Sequence, residues 1–478
     1  MIDTKVLREK ILDLAMRGKL VPQDPNDEPA SELLKRIKAE KEELIKQKKI
    51  KRDKNETEIF KGDDGLHYEK FADGTVNPLL TTLDFPDNWL PIKLSQILRV
   101  SSGKSLKRTQ LTEDGNVPVY GAHGIMGSYS EGFIEKGTLL IGRVGFYAGS
   151  IMRTKEFSWV TDNSLIVSSS SVVNSNFLEL SLKHLNLGSL TSQTAQPVIS
   201  GQKIYSQIIF LPPVNEQTKI VDSYNELISK VNTIEKEQEQ LKQLATQLKQ
   251  KVLDVAMQGK LVPQDPNDEP ASVLLEKIRA EKQRLYEEGK IKKKDLVETE
   301  LVKDGDNAYY GKLPKTWIKS KLFSVANVIM GQSPKGNNVT SEFSLNAVEF
   351  HQGKSDFGEK FLNPSGKYTS QITKEIEIPS IVMSVRAPVG DVNLTRKTIV
   401  IGRGLAAIQP YGYSLEYLYH FLLTQKSILE QQATGTTFKA IGGEVLRNLP
   451  IALPAEKEQI RIVNLINSVF EVESQLMK

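Results

Sequence analysis

The segment GKLVPQDPNDEPAS at Gly18–Ser31 recurs letter for letter at Gly259–Ser272. Its flanks repeat as well. LREKILDLAMR (Leu7–Arg17) answers LKQKVLDVAMQ (Leu248–Gln258), and LLKRIKAEKEELIKQKKIK answers LLEKIRAEKQRLYEEGKIK downstream. A second pair lies elsewhere: LPPVNEQTKIV (Leu211–Val221) against LPAEKEQIRIV (Leu453–Val463). Looser matches set DNWLPIKL (Asp87–Leu94) against KTWIKSKL (Lys315–Leu322), and SGKS (Ser102–Ser105) against MGQS (Met330–Ser333). Call the EQ-containing helix start a, the GKLVPQDP block b and the intervening divergent region R. The chain then reads b, R1, a, b, R2, a, which is a circular order. If the last a packs beside the first b, the termini rebuild the a–b unit that runs unbroken in mid-chain, and one polypeptide gains an internal pseudo-two-fold axis. The scaffold is copied closely; the regions it carries have diverged.

The unbroken a–b unit has heptad spacing. Its apolar positions are Ile220, Tyr224, Leu227, Val231, Ile234, Leu241, Leu248, Val252 and Val255, with Gln238 and Ala245 interrupting the seam. Ile220 to Gln258 would form a rod of about 58 Å, ended by Gly259 and Pro263. Such a rod separates domains. The chain ends carry the matching stripe, with Ile462, Ile466, Val469 and Leu476 repeating its first part and Leu7, Ile11 and Leu14 its last. The expectation is a long antiparallel two-helix coiled coil, one helix continuous and one built from both termini; a parallel homodimeric coiled coil is the competing arrangement. A second charged helix follows each GKLVPQDPNDEPAS turn, with Ser31 or Ser272 as N-cap. These helices end in KIKRDK (Lys49–Lys54) and KIKKKD (Lys290–Asp295), which read as solvated helix ends or as contacts to DNA phosphate or a partner.

R1 (Phe85–Val214) and R2 (Lys312–Ala455) each have the size of a small domain. Strand-like runs occur in both, GTLLIGRV and SLIVSS in R1, SIVMSVRA and TIVIGRGLAAI in R2, so each is expected to be an α+β globule. Basic, amide and hydroxyl side chains fall in loops at matching places. Lys104, Ser105, Lys107 and Arg108 follow the first R1 strand, as Gln332, Ser333 and Lys335 do in R2. Arg143 pairs with Arg386. Near the end of each domain TSQTAQPVISGQKI answers ATGTTFKAIGGEVL, setting Gln193, Gln196 and Lys203 against Thr436, Thr437 and Lys439. These residue types make bidentate base contacts or hold phosphates, so the set is the candidate DNA-binding surface. Two unlike readers at a fixed separation imply two unlike half-sites with a fixed gap.

Composition narrows the alternatives. With 39% hydrophobic and 26% charged residues, each domain can bury a core under a charged surface; a net charge of +4 permits DNA binding without demanding it. There is no cysteine, which excludes disulfides, thiolate catalysis and cysteine zinc sites. The five histidines (His67, His123, His184, His351, His420) are scattered, so no metal site is expected. No run reaches membrane-spanning length and the amphipathic start is not a signal peptide, which points to the cytoplasm. Catalytic motifs are also wanting. SSGKS has Leu98 where a phosphate-binding loop needs glycine, GRVGFYAG is too irregular for a nucleotide fingerprint, NPLL (Asn77–Leu80) and NPSG (Asn363–Gly366) are not methyltransferase motifs, and no nucleophile elbow occurs.

The circular repeat, the LPPVNEQTKI and LPAEKEQIRI helix starts, and the tryptophans opening each divergent region (Trp89, Trp317) together resemble the specificity subunits of type I restriction–modification systems. The resemblance covers nearly the whole chain. It implies that R1 and R2 are target recognition domains reading the halves of an asymmetric bipartite site in double-stranded DNA. The helices would set the gap and dock modification subunits, two of them, which restriction subunits then join. S-adenosylmethionine, ATP and magnesium would belong to those partners, leaving this chain with no cofactor and no active site. The implied organisation is a helical conserved region at 1–60, a linker at 61–84, recognition domain 1 at 85–214, a central helical region at 215–300, a linker at 301–311, recognition domain 2 at 312–455 and a closing helix at 456–478. The alternatives are a coiled-coil adaptor with two protein-binding domains and a self-sufficient nuclease or methyltransferase.

Overall fold

The computed structural model describes residues 1–52, 57–79, 85–112, 115–192, 197–297, 313–435 and 439–477. It forms two compact units, Ile2–Gln238 and Glu239–Lys478, the second joined by Met1.

In the first unit, helix α1 (Thr4–Met16) starts at Asp3, whose carboxylate accepts the N–H groups of Lys5 and Val6. It stops at Gly18, which takes φ +66° while Lys19 N donates to Leu14 O, the closure that glycine permits at a helix C-terminus. The turn leads into α2 (Ala30–Lys46). Ser31 is not its cap: the helix begins one residue earlier behind Pro29, as the repeat's helix begins behind Pro270 and leaves Ser272 inside the first turn. Proline there forfeits no helical hydrogen bond. R1 is built on an antiparallel sheet in the order Leu98–Ser102, Ser164–Ser169, Leu139–Gly142, Ile151–Arg153. Leu33 and Ile37 of α2 share its core with Ile92, Leu98, Ile141, Leu165 and Leu178. A smaller cluster joins Ala15 and Met16 to Trp89, Phe177 and Ile220, so α1, the domain's helix α3 (Ser175–His184) and the start of α4 (Val214–Met257) meet in one core.

The second unit repeats this plan. Its sheet runs Ala326–Met330, Leu405–Pro410, Ile381–Ser384, Val392–Leu394, the same order with the same antiparallel pairings. Helix α5 (Ala271–Glu287) supplies Leu274 and Ile278 where α2 supplies Leu33 and Ile37. The domain helix α6 (Leu415–Thr424) and the closing helix α7 (Glu456–Leu476) complete the core with Leu418, Phe421, Ile462 and Ile466.

The antiparallel pairing of α4 is present in each unit. In the first, Arg8 lies 2.6 Å from Glu235, while Ala15 and Met16 pack with Ile220. In the second, Lys249 lies 2.7 Å from Glu473, and Leu253, Ala256 and Met257 share a core with Ile462 and Ile466. The packing differs in detail from the heptad reading. Ile220, Val231, Ile11, Ile462 and Ile466 are buried; Tyr224, Leu227, Ile234, Val252, Val255, Leu7, Leu14 and Val469 are half-buried. Leu241, Leu248 and Leu476 are 42%, 48% and 71% exposed, because two helices cannot cover a whole apolar stripe. The two apparent interruptions are contacts. Ala245 is buried, and Gln238 accepts Ile2 N at 2.6 Å and donates to Ile2 O at 3.1 Å.

Residues assigned to the 61–84 linker carry structure too. Glu58–Lys61, His67–Lys70 and Val76–Pro78 form an antiparallel meander. Its turns are made by Asp64 and Asp73, which accept N–H groups two residues on, ahead of Gly65 and Gly74 at positive φ. The second linker, 301–311, lies outside the described residues.

Candidate nucleic-acid interface

The strongest repeated chemistry ties each divergent domain to the helix that follows it. Trp89 Nε1 donates to Glu216 at 3.0 Å, and Trp317 Nε1 donates to Glu458 at 3.0 Å. The same carboxylates accept the side-chain amides of Gln23 and Gln264, from the two copies of the GKLVPQDP turn. The adjacent Gln217 accepts Asn174 N at 2.9 Å and Gln459 accepts Ser414 N at 3.3 Å, at the N-caps of α3 and α6. Each EQ dipeptide therefore clamps a tryptophan, a turn and a domain helix. Burial pushes both glutamates above the ordinary carboxylate range, and the hydrogen bonds from the amide and the indole hold the rise back.

At one edge of each four-stranded sheet the loops converge. In domain 1, Gly103 N donates to Ser164 O, Lys104 N to Val160 O and Arg143 N to Asn163 O. In domain 2, Gly331 N donates to Leu405 O, Gln332 N to Ile401 O and Val385 N to Gly404 O, which are the equivalent bonds. The glycine shared by SGKS and MGQS is forced by crowding: a Cβ on Gly103 would lie 2.3 Å from Thr161 O, and one on Gly331 2.1 Å from Gly402 O.

These bonds bring together many of the expected residues. Lys104 is exposed, with its ammonium 4.2 Å from the centre of the Phe133 ring. Ser105 is exposed beside it, and Lys107 and Arg108 are exposed at a short 3₁₀ turn, Arg108–Gln110. Arg143 reaches Ser102 Oγ at 3.3 Å. Lys203 Nζ donates to Leu190 O at 2.7 Å. In domain 2, Gln332 and Lys335 are exposed, Ser333 Oγ donates to Gln352 at 3.0 Å, and Arg386 and Lys439 are exposed. Gln193, Gln196, Thr436 and Thr437 lie outside the described residues.

Two pairings shift. Gly145 N donates to Pro197 O as Ala387 N does to Lys439 O, and Val144 bridges Val198 as Arg386 bridges Ala440. Arg386 therefore occupies the place of Val144, not of Arg143, and Lys439 that of Pro197, with Lys203 further along its own short helix. Similar letters in diverged loops did not mean the same position. Three exposed residues at these edges escaped sequence reasoning: Phe146, Gln352 and Arg403. The signals for Phe146 and Arg403 were the GRVGFYAG and GRG strings, whose glycines mark turns; Gln352 lies in neither.

The family model for the type I restriction modification DNA specificity domain matches residues 86–243 and again 314–478. The chain belongs to this family. It is similar to the type I restriction enzyme EcoEI specificity subunit of Escherichia coli, 26% identical across 99% of this chain and 90% of that one. It is 32% identical to the EcoAI specificity subunit of the same organism, over 70% of this chain and 65% of that protein. Its fold is shared with a solved chain of a type I restriction–modification system (TM-score 0.54, 22% identity, 82% of this chain and 92% of that one). The HsdS subunit of Thermoanaerobacter tengcongensis is similar also (TM-score 0.50, 20% identity, 83% and 92%). The specificity subunit reads DNA within a multi-subunit restriction–modification complex and is not its catalytic chain. Among the described residues no His, Asp and Glu cluster is arranged to hold a metal, and no helix is long and apolar enough to cross a membrane.

Proposed function

We propose that each recognition domain reads one half of an asymmetric bipartite DNA site through its loop edge, while the long helices set the base-pair gap and dock two modification subunits. One observation carries this reading. The two edges share a backbone framework but present different chemistry at equivalent places: Asp162 against Arg403, Val144 against Arg386, and Phe146 against Pro388. A common frame with different side chains reads different bases.

The DNA-contact set is Lys104, Ser105, Lys107, Arg108, Arg143 and Lys203 in domain 1, and Gln332, Ser333, Lys335, Arg386 and Lys439 in domain 2, joined by Gln352 and Arg403. Gln193, Gln196, Thr436 and Thr437 belong to the same loops by sequence. Domain 1 spans 85–214 and domain 2 spans 312–455, with helical regions on either side. The work is done in the cytoplasm, where the restriction subunits complete the assembly.

Docking of the modification subunits is supported by an apolar groove in the second unit, lined by Leu241, Leu244, Leu248, Val469, Val472 and Leu476. The decisive experiment maps methylated adenines in DNA exposed to this chain with its modification subunits and S-adenosylmethionine. A single gapped sequence is the expected result; no methylated sequence, or methylation by this chain alone, would overturn the reading.

A further inference from the structure

Phe146 is the most conspicuous side chain of the first recognition edge. It is 91% exposed, against near-complete burial of the aromatic residues in the core, such as Trp89, Phe177 and Tyr417. Nothing about its loop is slack. Gly145 takes φ +75° and donates its N–H to Pro197 O at 2.8 Å; Ala148 N returns to Gly145 O at 3.0 Å and Gly149 N to Gly142 O at 2.7 Å. Gly149 sits at φ +90° where a Cβ would lie 2.3 Å from Gly188 N, so the loop is pinned against the domain body. Ser150 Oγ bonds Ala122 O at 2.9 Å, and His123 stacks on Tyr147 at 4.6 Å, which braces the loop from the neighbouring hairpin.

A rigid turn thus holds a phenyl ring in water, three residues from Arg143 and on the same sheet edge as Lys104. Exposing such a ring forgoes the hydrophobic gain of burying it, and its edge-on contact with Tyr147, 5.2 Å between ring centres, leaves it 91% exposed. The second domain lacks this feature: its loop from Ser384 to Gly390 is one residue shorter and carries Pro388 in the equivalent place. An apolar tip on the same loop edge as Lys104 and Arg143 suits a partner that is charged outside and apolar inside. DNA has that chemistry, with phosphates lining the grooves and thymine methyls and base faces within.

Resting on the DNA-reading function above, we propose that Phe146 is a specificity-determining residue of the first half-site, placing its ring against an apolar base surface once Lys104 and Arg143 have engaged the backbone. It gives domain 1 a contact that the equivalent Ser384–Gly390 loop of domain 2, with Pro388 in its place, does not offer.

The test uses the chain assembled with its modification subunits. Phe146→Ala is expected to melt nearly like the parent, since the ring is almost wholly exposed and meets Tyr147 edge-on, yet to methylate the cognate site roughly tenfold or more slowly, with relaxed sequence at the first half-site and none at the second. Phe146→Leu is expected to recover part of the rate. Replacing half-site thymines by deoxyuridine one at a time identifies a methyl contact as a position whose loss slows the parent but not Phe146→Ala. A 2-aminopurine at each step identifies insertion between bases as fluorescence that rises with the parent and not with the variant. Parent-like rate and sequence profile for Phe146→Ala would overturn the proposal while leaving the function intact, as would a defect accompanied by neither DNA signature. A parent complex that methylates no gapped site would instead sink the function itself.

Discussion

Glu216 and Glu458 hold carboxylates in a buried place because two donors need one acceptor there, the indole of the preceding domain and the amide of the turn before that domain. Removing the acceptor strands both donors. Glu216→Ala should cost about 2 to 3 kcal/mol, read as a lower denaturant midpoint, whereas Glu216→Gln keeps an oxygen for the indole and should lose less. The pH dependence separates charge from geometry. Because the folded chain raises this group, its contribution is fully present below the ordinary glutamate range and is lost as pH rises through the folded value. The amide does not titrate, so Glu216→Gln should gain on the parent between pH 4 and pH 7.5; melting curves whose separation stays constant would show that burial imposes no such cost. The EQ dipeptide and the tryptophans were visible as repeated letters. Their bonding was not, since the partners lie far apart along the chain.

Helix α4 shows how far periodicity reaches. Heptad spacing located the helix and both antiparallel partners, because an apolar stripe at that period favours pairing, although the helix begins at Val214, six residues before Ile220. It did not say what covers each position. Leu244 was never part of the seam, yet it is 61% exposed and lines the same groove as Leu241 and Leu248. If that groove docks a modification subunit, Leu244→Ser combined with Leu248→Ser should leave the melting of the isolated chain nearly unchanged and weaken subunit association at least tenfold by sedimentation. Undiminished association would assign the docking face elsewhere. The meander at Glu58–Pro78 was missed for a related reason: its strands are short and mostly exposed, so they lack the apolar alternation that marks a buried sheet.

Across the molecule, modularity predicts that replacing Phe85–Val214 with the corresponding region of a relative changes one half of the methylated site and leaves the other half and the gap alone. Change in both halves, read from methylation maps, would refute independent readers. DNA binding by the assembled complex should also weaken steeply with salt if, as proposed, the cations at both edges meet phosphate. The circular order b, R1, a, b, R2, a was enough to establish duplication, two divergent domains and helices shared by middle and ends, because an exact repeat and a sustained period survive without knowledge of the fold. The interface was decided by tertiary structure. Only the sheet's backbone pairings bring Gly103, Arg143 and Pro197 to one edge, show that Arg386 replaces Val144, and leave Phe146 outside; diverged loops keep their hydrogen-bonded frame while their letters lose register, so position there is a property of the fold.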